Sequence, residues 1–130
     1  MDRQSQAAQL TQLSAIRFRA AQAEMAQLRL REDRLRSNLA QLIQQKETQA
    51  DAMRDGAAAV VAGADVRWHQ WVDQRRTVIN AELAQVRALQ EGCRAKLSNA
   101  FGRDQAVQDL NAKLTAEAKF AQQRRTNYES

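Results

Sequence analysis

The chain has 130 residues, 44% of them hydrophobic but only 5% aromatic, and it contains no proline. Too few large side chains are present for a layered globular core, yet they suffice for a stripe along two helices. The formal charge is +5, with sixteen arginines among twenty basic residues, which admits nucleic acid, an anionic membrane or an acidic protein groove as partner.

The first predicted element is a helix over residues 4–55, capped by Asp2 or Ser5. Its seam reads Phe18, Ala21, Met25, Leu28, Glu32, Leu35, Leu39, Leu42, Lys46 and Met53. These spacings alternate three and four, the signature of a helix that packs along one stripe. Gln49 or Ala50 must fill the gap after Lys46. Leu10, Leu13 and Ile16 fall out of this phase, which predicts a local stutter near Arg17. Glu32 and Lys46 interrupt the seam with charge, as residues that fix register or mark a docking point do.

The next feature is punctuation. Gly56 and Gly63 bracket a run of small residues, and Asp65 follows. Glycine suits a helix C-terminus and aspartate an N-cap, so a turn is predicted over residues 56–64. The chain should fold back there, centred near residue 60.

The second helix is predicted over residues 65–127. An uncharged residue recurs at every seventh position through Val72, Ile79, Val86, Cys93, Ala100, Val107, Leu114, Ala121 and Tyr128. The expected fold is all-α: one long two-helix antiparallel coiled-coil hairpin spanning residues 1–130. Leu28, Leu35, Leu39 and Leu42 should face Ile79, Val86, Leu89, Cys93 and Leu97. Helix two is the longer arm, so its last residues, with Arg124, Arg125 and Tyr128, should overhang the start of helix one.

Chemistry is scarce. One cysteine and one histidine, Cys93 and His69, lie too far apart to argue a catalytic pair, and four isolated glycines form no phosphate loop. Cys93 belongs to the seventh-position series and reads as a small buried hydrophobe. No enzyme activity, metal or cofactor is expected. Polar residues at the start and the lack of a transmembrane-length apolar run point to a cytoplasmic address. Trp68 and Trp71, beside Arg67 and His69 at the hairpin tip, read either as a plug against Met53 and Val60 or as an exposed aromatic anchor.

A basic, proline-free hairpin of this length resembles the FliJ and YscO-type family of type III export proteins, flagellar or injectisome. The local match is Leu39-Ala40-Gln41-Leu42-Ile43 on helix one, then Val66-Arg67-Trp68-His69-Gln70-Trp71 after the glycine-containing turn. These segments resemble the family's L-x-x-L-I stretch and its R-W-x-x-aromatic start to the second helix. The resemblance covers residues 35–85 and implies a non-enzymatic stalk that enters a hexameric export ATPase and stimulates it. It also implies contact with the cytoplasmic domain of the export gate and with export chaperones. The location would then be cytoplasmic, peripheral to the inner membrane through these partners.

Carried over residue by residue, the gate contacts implied are Asn38, Leu42, Gln45, Gln49, Gln74, Val78, Ala81 and Gln85. Gln45, Gln49 and Gln74 depart from a pattern in which aromatics occur. The basic termini, Arg3, Arg17, Arg19, Lys113, Lys119, Arg124 and Arg125, are the expected ATPase-ring contacts. Two other readings stay open on the residues alone: a general coiled-coil scaffold, and a nucleic-acid-binding rod. The second is disfavoured because acidic residues are interspersed with the basic ones, so no nucleic-acid partner is expected.

Overall fold

The structure is a computed structural model that describes residues 2–53 and 58–129, with side chains described for 2–52 and 63–129. Two helices, α1 (Arg3–Met53) and α2 (Ala58–Glu129), pack antiparallel as a hairpin, with no strand among the described residues. Asp2 provides the N-cap of α1: its Oδ1 accepts the Ser5 backbone N–H at 2.8 Å, satisfying one of the donors a helix start leaves unpaired.

The sequence expectation misplaces the start of the second helix. α2 begins at Ala58, ahead of Asp65, so Gly63 and Asp65 lie inside it. Alanine is the best helix former, and one interior glycine costs only about 1 kcal/mol, so the small-residue run stays helical. Asp65 is accordingly no cap; its Oδ1 lies 3.0 Å from His69 Nε2, one turn on. α2 reaches Glu129 rather than residue 127, and the expected end of helix one at residue 55 lies outside the described residues. Gly56, the expected helix terminator, lies outside the described residues.

The expected single unit resolves into two compact parts, one of residues 26–91 and one of residues 1–25 with 92–130. The first, turn-proximal unit has a core of Leu35, Leu42, Val72, Ile79, Leu83 and Val86, against which Leu39 and Trp68 pack. Gln90 Nε2 donates to Glu32 Oε2 at 2.6 Å, and Arg36 holds the other carboxylate oxygen at 2.6 Å. Glu32 therefore interrupts the apolar seam with its carboxylate bonded on both sides. Lys46, the other charged seam residue, lies 3.9 Å from Asp73 across the arms. Leu89, expected to face α1, is exposed, and Gln90 takes the seam position instead. The three-four alternation steps from Val86 to Gln90 to Cys93, which puts Leu89 one place off the stripe.

In the terminal unit, α1 buries Ala7, Ser14, Ala21 and Met25, while α2 buries Cys93 and Asp104. Phe18 and Phe101 meet with ring centroids 5.6 Å apart, Glu24 pairs with Lys96 at 3.7 Å, and Cys93 Sγ lies 3.6 Å from the Ala21 carbonyl. The stutter expected near Arg17 is absent. Ala7, Thr11 and Ser14 keep unbroken heptad phase with Phe18 and Ala21, and Leu10, Leu13 and Ile16 lie exposed. The seam here is built from small and polar side chains because Asp104 across the pair offers Ser14 a hydrogen bond at 3.1 Å. Hydrophobicity alone does not reveal that seam.

The register pairs residues nearly equidistant from position 60, as expected, although residue 60 itself lies inside α2. In the terminal unit the facing pairs are Ser14 with Asp104, Phe18 with Phe101 and Glu24 with Lys96. In the turn-proximal unit they are Glu32 with Gln90 and Lys46 with Asp73. Every residue of α2 from Thr115 to Glu129 is exposed. Continued by the same register, the start of α1 lies opposite residues just short of Lys119, and the residues of α2 beyond that point are exposed where described.

Candidate functional site

The helix pair buries its seam, and its flanks carry the exposed surface. Among the described residues no group of three or more His, Cys, Asp or Glu is placed to hold a metal ion. No helix, among the same residues, is long and apolar enough to cross a membrane.

The gate-contact residues expected from the resemblance lie in the turn-proximal unit. Seven of the eight, Asn38, Gln45, Gln49, Gln74, Val78, Ala81 and Gln85, are exposed. Leu42 is not: only 5% of it is accessible, and it belongs to the core. A partner cannot touch it while the pair is closed, so its expected contact role is corrected to a packing role. Seam periodicity dictates this, since Leu35, Leu42 and Leu39 share one stripe facing Ile79 and Val86.

Gln45 and Gln49 line a cleft of about 400 Å³ with Gln41, Gln44, Thr48 and Trp68. The indole of Trp68 roofs one end, packing on the core and meeting the His69 ring edge-on at 5.5 Å. Trp71 is 52% exposed and Val78, two helical turns on, 46% exposed. Residues seven apart share a helix face, so Trp71 and Val78 form an apolar stripe open to solvent. Trp68 packs on the core, and Trp71 stands exposed. The expected packing partners Met53 and Val60 lie outside the described side chains.

The expected ATPase-contact residues Arg3, Arg17, Arg19, Lys113, Lys119, Arg124 and Arg125 all belong to the terminal unit and are exposed. That unit carries ten basic and six acidic side chains, +4 of the chain's +5. Arg124 lies over the exposed Phe120 ring at 4.4 Å from its centroid, which shields the ring while leaving the guanidinium edge free to donate.

One surface escaped the sequence reading. A cleft of about 620 Å³ runs along the terminal unit, with Leu10, Leu13, Ala21, Ala100 and Val107 among its lining residues and Arg17 and Arg103 on its rim. The signal was present as a second three-four repeat, Leu10, Leu13, Arg17, Ala20 and Glu24. It looks like a phase error in the first seam until the true seam is known.

Compared with family models, curated proteins and solved structures, the chain matches none of them.

Proposed function

We propose that this hairpin is the non-enzymatic stalk of a bacterial type III export apparatus, linking a hexameric export ATPase to the cytoplasmic domain of the export gate. The observation that carries this reading is the register of the terminal unit. With Ser14 opposite Asp104 and Phe18 opposite Phe101, α1 ends its pairing before α2 does. The exposed end of α2, with Lys119, Arg124 and Arg125, is a basic extension beyond the start of α1. A projecting basic helix suits the lumen of a ring lined by acidic groups, where charge steers entry and salt weakens it.

The turn-proximal unit then supplies the gate contact through Val78, Ala81 and the exposed glutamines at 45, 49, 74 and 85. These sit beside the Trp71 stripe, so an apolar centre with a polar rim is available there. Export chaperones would be a third class of partner. The location is cytoplasmic, peripheral to the inner membrane through the partners.

Co-purification tests the reading. The tagged protein, expressed with an export ATPase and separately with the gate's cytoplasmic domain, should retain each at low salt and release the ATPase as salt is raised. Failure to retain either partner at low salt would remove the proposal and leave a coiled-coil scaffold for other proteins.

A further inference from the structure

The two flanks of the terminal unit differ. On one, Phe18 and Phe101 meet at a tilt with ring centroids 5.6 Å apart, and neither ring lines the cleft. On the other, the seam residues are small, Ser14, Ala21 and Ala100, and the helix pair leaves the apolar cleft of about 620 Å³. Each arm presents a three-four row along it: Leu10, Leu13, Arg17, Ala20 and Glu24 on α1, and Lys96, Asn99, Arg103 and Ala106 on α2. The α2 row continues to Leu110, itself exposed. Rows with heptad spacing on two adjacent helices are what a third helix needs in order to insert its own knobs.

The register stacks these rows in layers. Leu10 stands level with Leu110, Leu13 with Ala106, Arg17 with Arg103, and Glu24 with Lys96. The last layer neutralises itself, with carboxylate and ammonium 3.7 Å apart. Arg17 and Arg103 share a layer, and neither takes part in an ion pair among the described residues. Two like charges at one level of an apolar cleft repel, and a carboxylate between them relieves this. The terminal unit of a second copy is a poor occupant, because each terminal unit carries +4.

We infer that this cleft is a docking groove for an acidic amphipathic helix of a partner protein. Apolar residues of that helix sit against Leu10, Leu13 and Val107, and a Glu or Asp reaches the Arg17–Arg103 layer. The mode is helix-in-groove recognition, with anchors at heptad spacing. It uses a flank of the seam rather than the projecting end of α2, and it does not rest on the export-stalk reading.

The probe is a dye-labelled amphipathic peptide about three heptads long, leucine at the seam positions and glutamate flanking them. Its twin carries lysine in place of glutamate. Fluorescence anisotropy with the full chain should show saturable binding of the glutamate peptide, weakened by salt, and none of the lysine twin. Arg17→Glu with Arg103→Glu should weaken the glutamate peptide at least about tenfold and admit the lysine twin, a reversal that loss of folding would not produce. Leu13→Asp should abolish binding, and Ile16→Asp, outside the cleft, should not. Circular dichroism checks helicity in each variant. No saturable binding, equal affinity of the double-glutamate variant, or equal affinity of the lysine twin would overturn the inference. Self-association of the free protein that Leu13→Asp abolishes would also overturn it, by assigning the groove to a second copy.

Discussion

Ser14 on α1 and Asp104 on α2 meet hydroxyl to carboxylate at 3.1 Å across the pair, although 90 positions separate them in sequence. The Asp104 carboxylate also accepts from Gln108 Nε2 at 3.0 Å, and both Ser14 and Asp104 are buried. A polar layer in the seam contributes little net stability, but any slip of register leaves its groups unpaired.

The first prediction concerns that layer. A double-mutant cycle over Ser14→Ala and Asp104→Leu should give a coupling energy of about 0.5–1.5 kcal/mol. The double variant should be no less stable than wild type, because paired polar groups are replaced together. Urea denaturation of the four proteins measures both quantities. Additive effects would mean that the two side chains do not meet.

Core truncation should separate seam from flank. Leu42→Ala removes a side chain that is packed with Leu35, Val72 and Ile79, and should cost about 2–4 kcal/mol. Leu89→Ala, on an exposed leucine, should change stability by less than about 0.5 kcal/mol. Equal loss in the two variants would place Leu89 in the seam after all.

The pattern explains which features were readable in advance. Large apolar residues announced the turn-proximal core, so Leu35, Leu42, Ile79 and Val86 fall where the heptads put them. Nearer the termini the seam passes through Ala7, Thr11, Ser14 and Asp104, which carry no hydrophobic signal. Leu10, Leu13 and Ile16 carry that signal outside the seam, and they mimic a stutter. Gly63 misled for a different reason: it lies among alanines, whose helix propensity outweighs it. The candidate gate surface was legible as a set of positions. That Leu42 cannot belong to it follows only from the packing.

Glycine replacement tests the helical assignment of α2. A Cβ added at Gly63, Gly92 or Gly102 meets nothing within 4 Å, and none of the three has a positive φ. Each Gly→Ala change should stabilise by about 0.5–1 kcal/mol through lost freedom in the unfolded chain. The midpoint of thermal unfolding, followed by circular dichroism, should rise for every one. A fall at Gly63 would argue against helix at that position.

The proposed gate-contact surface gives a cleaner test than Leu42 allows. Val78→Asp and Ala81→Asp alter exposed side chains, so helicity should persist in both. Affinity for the gate's cytoplasmic domain should fall about tenfold or more, as loss of an apolar contact at an interface centre implies. Titration of the purified domain against wild type and both variants reads this out. Unchanged affinity in both would detach the gate from this face.

The stalk proposal turns on the projecting end of α2, and the measurement that bears on it is the rate of ATP hydrolysis by the purified export ATPase. Full-length protein should raise that rate. The chain lacking residues 118–130, whose removed residues are all exposed where described, should stay helical and give no stimulation. Stimulation by the truncated chain equal to that by the full-length protein would contradict the proposed insertion of this end into the ring.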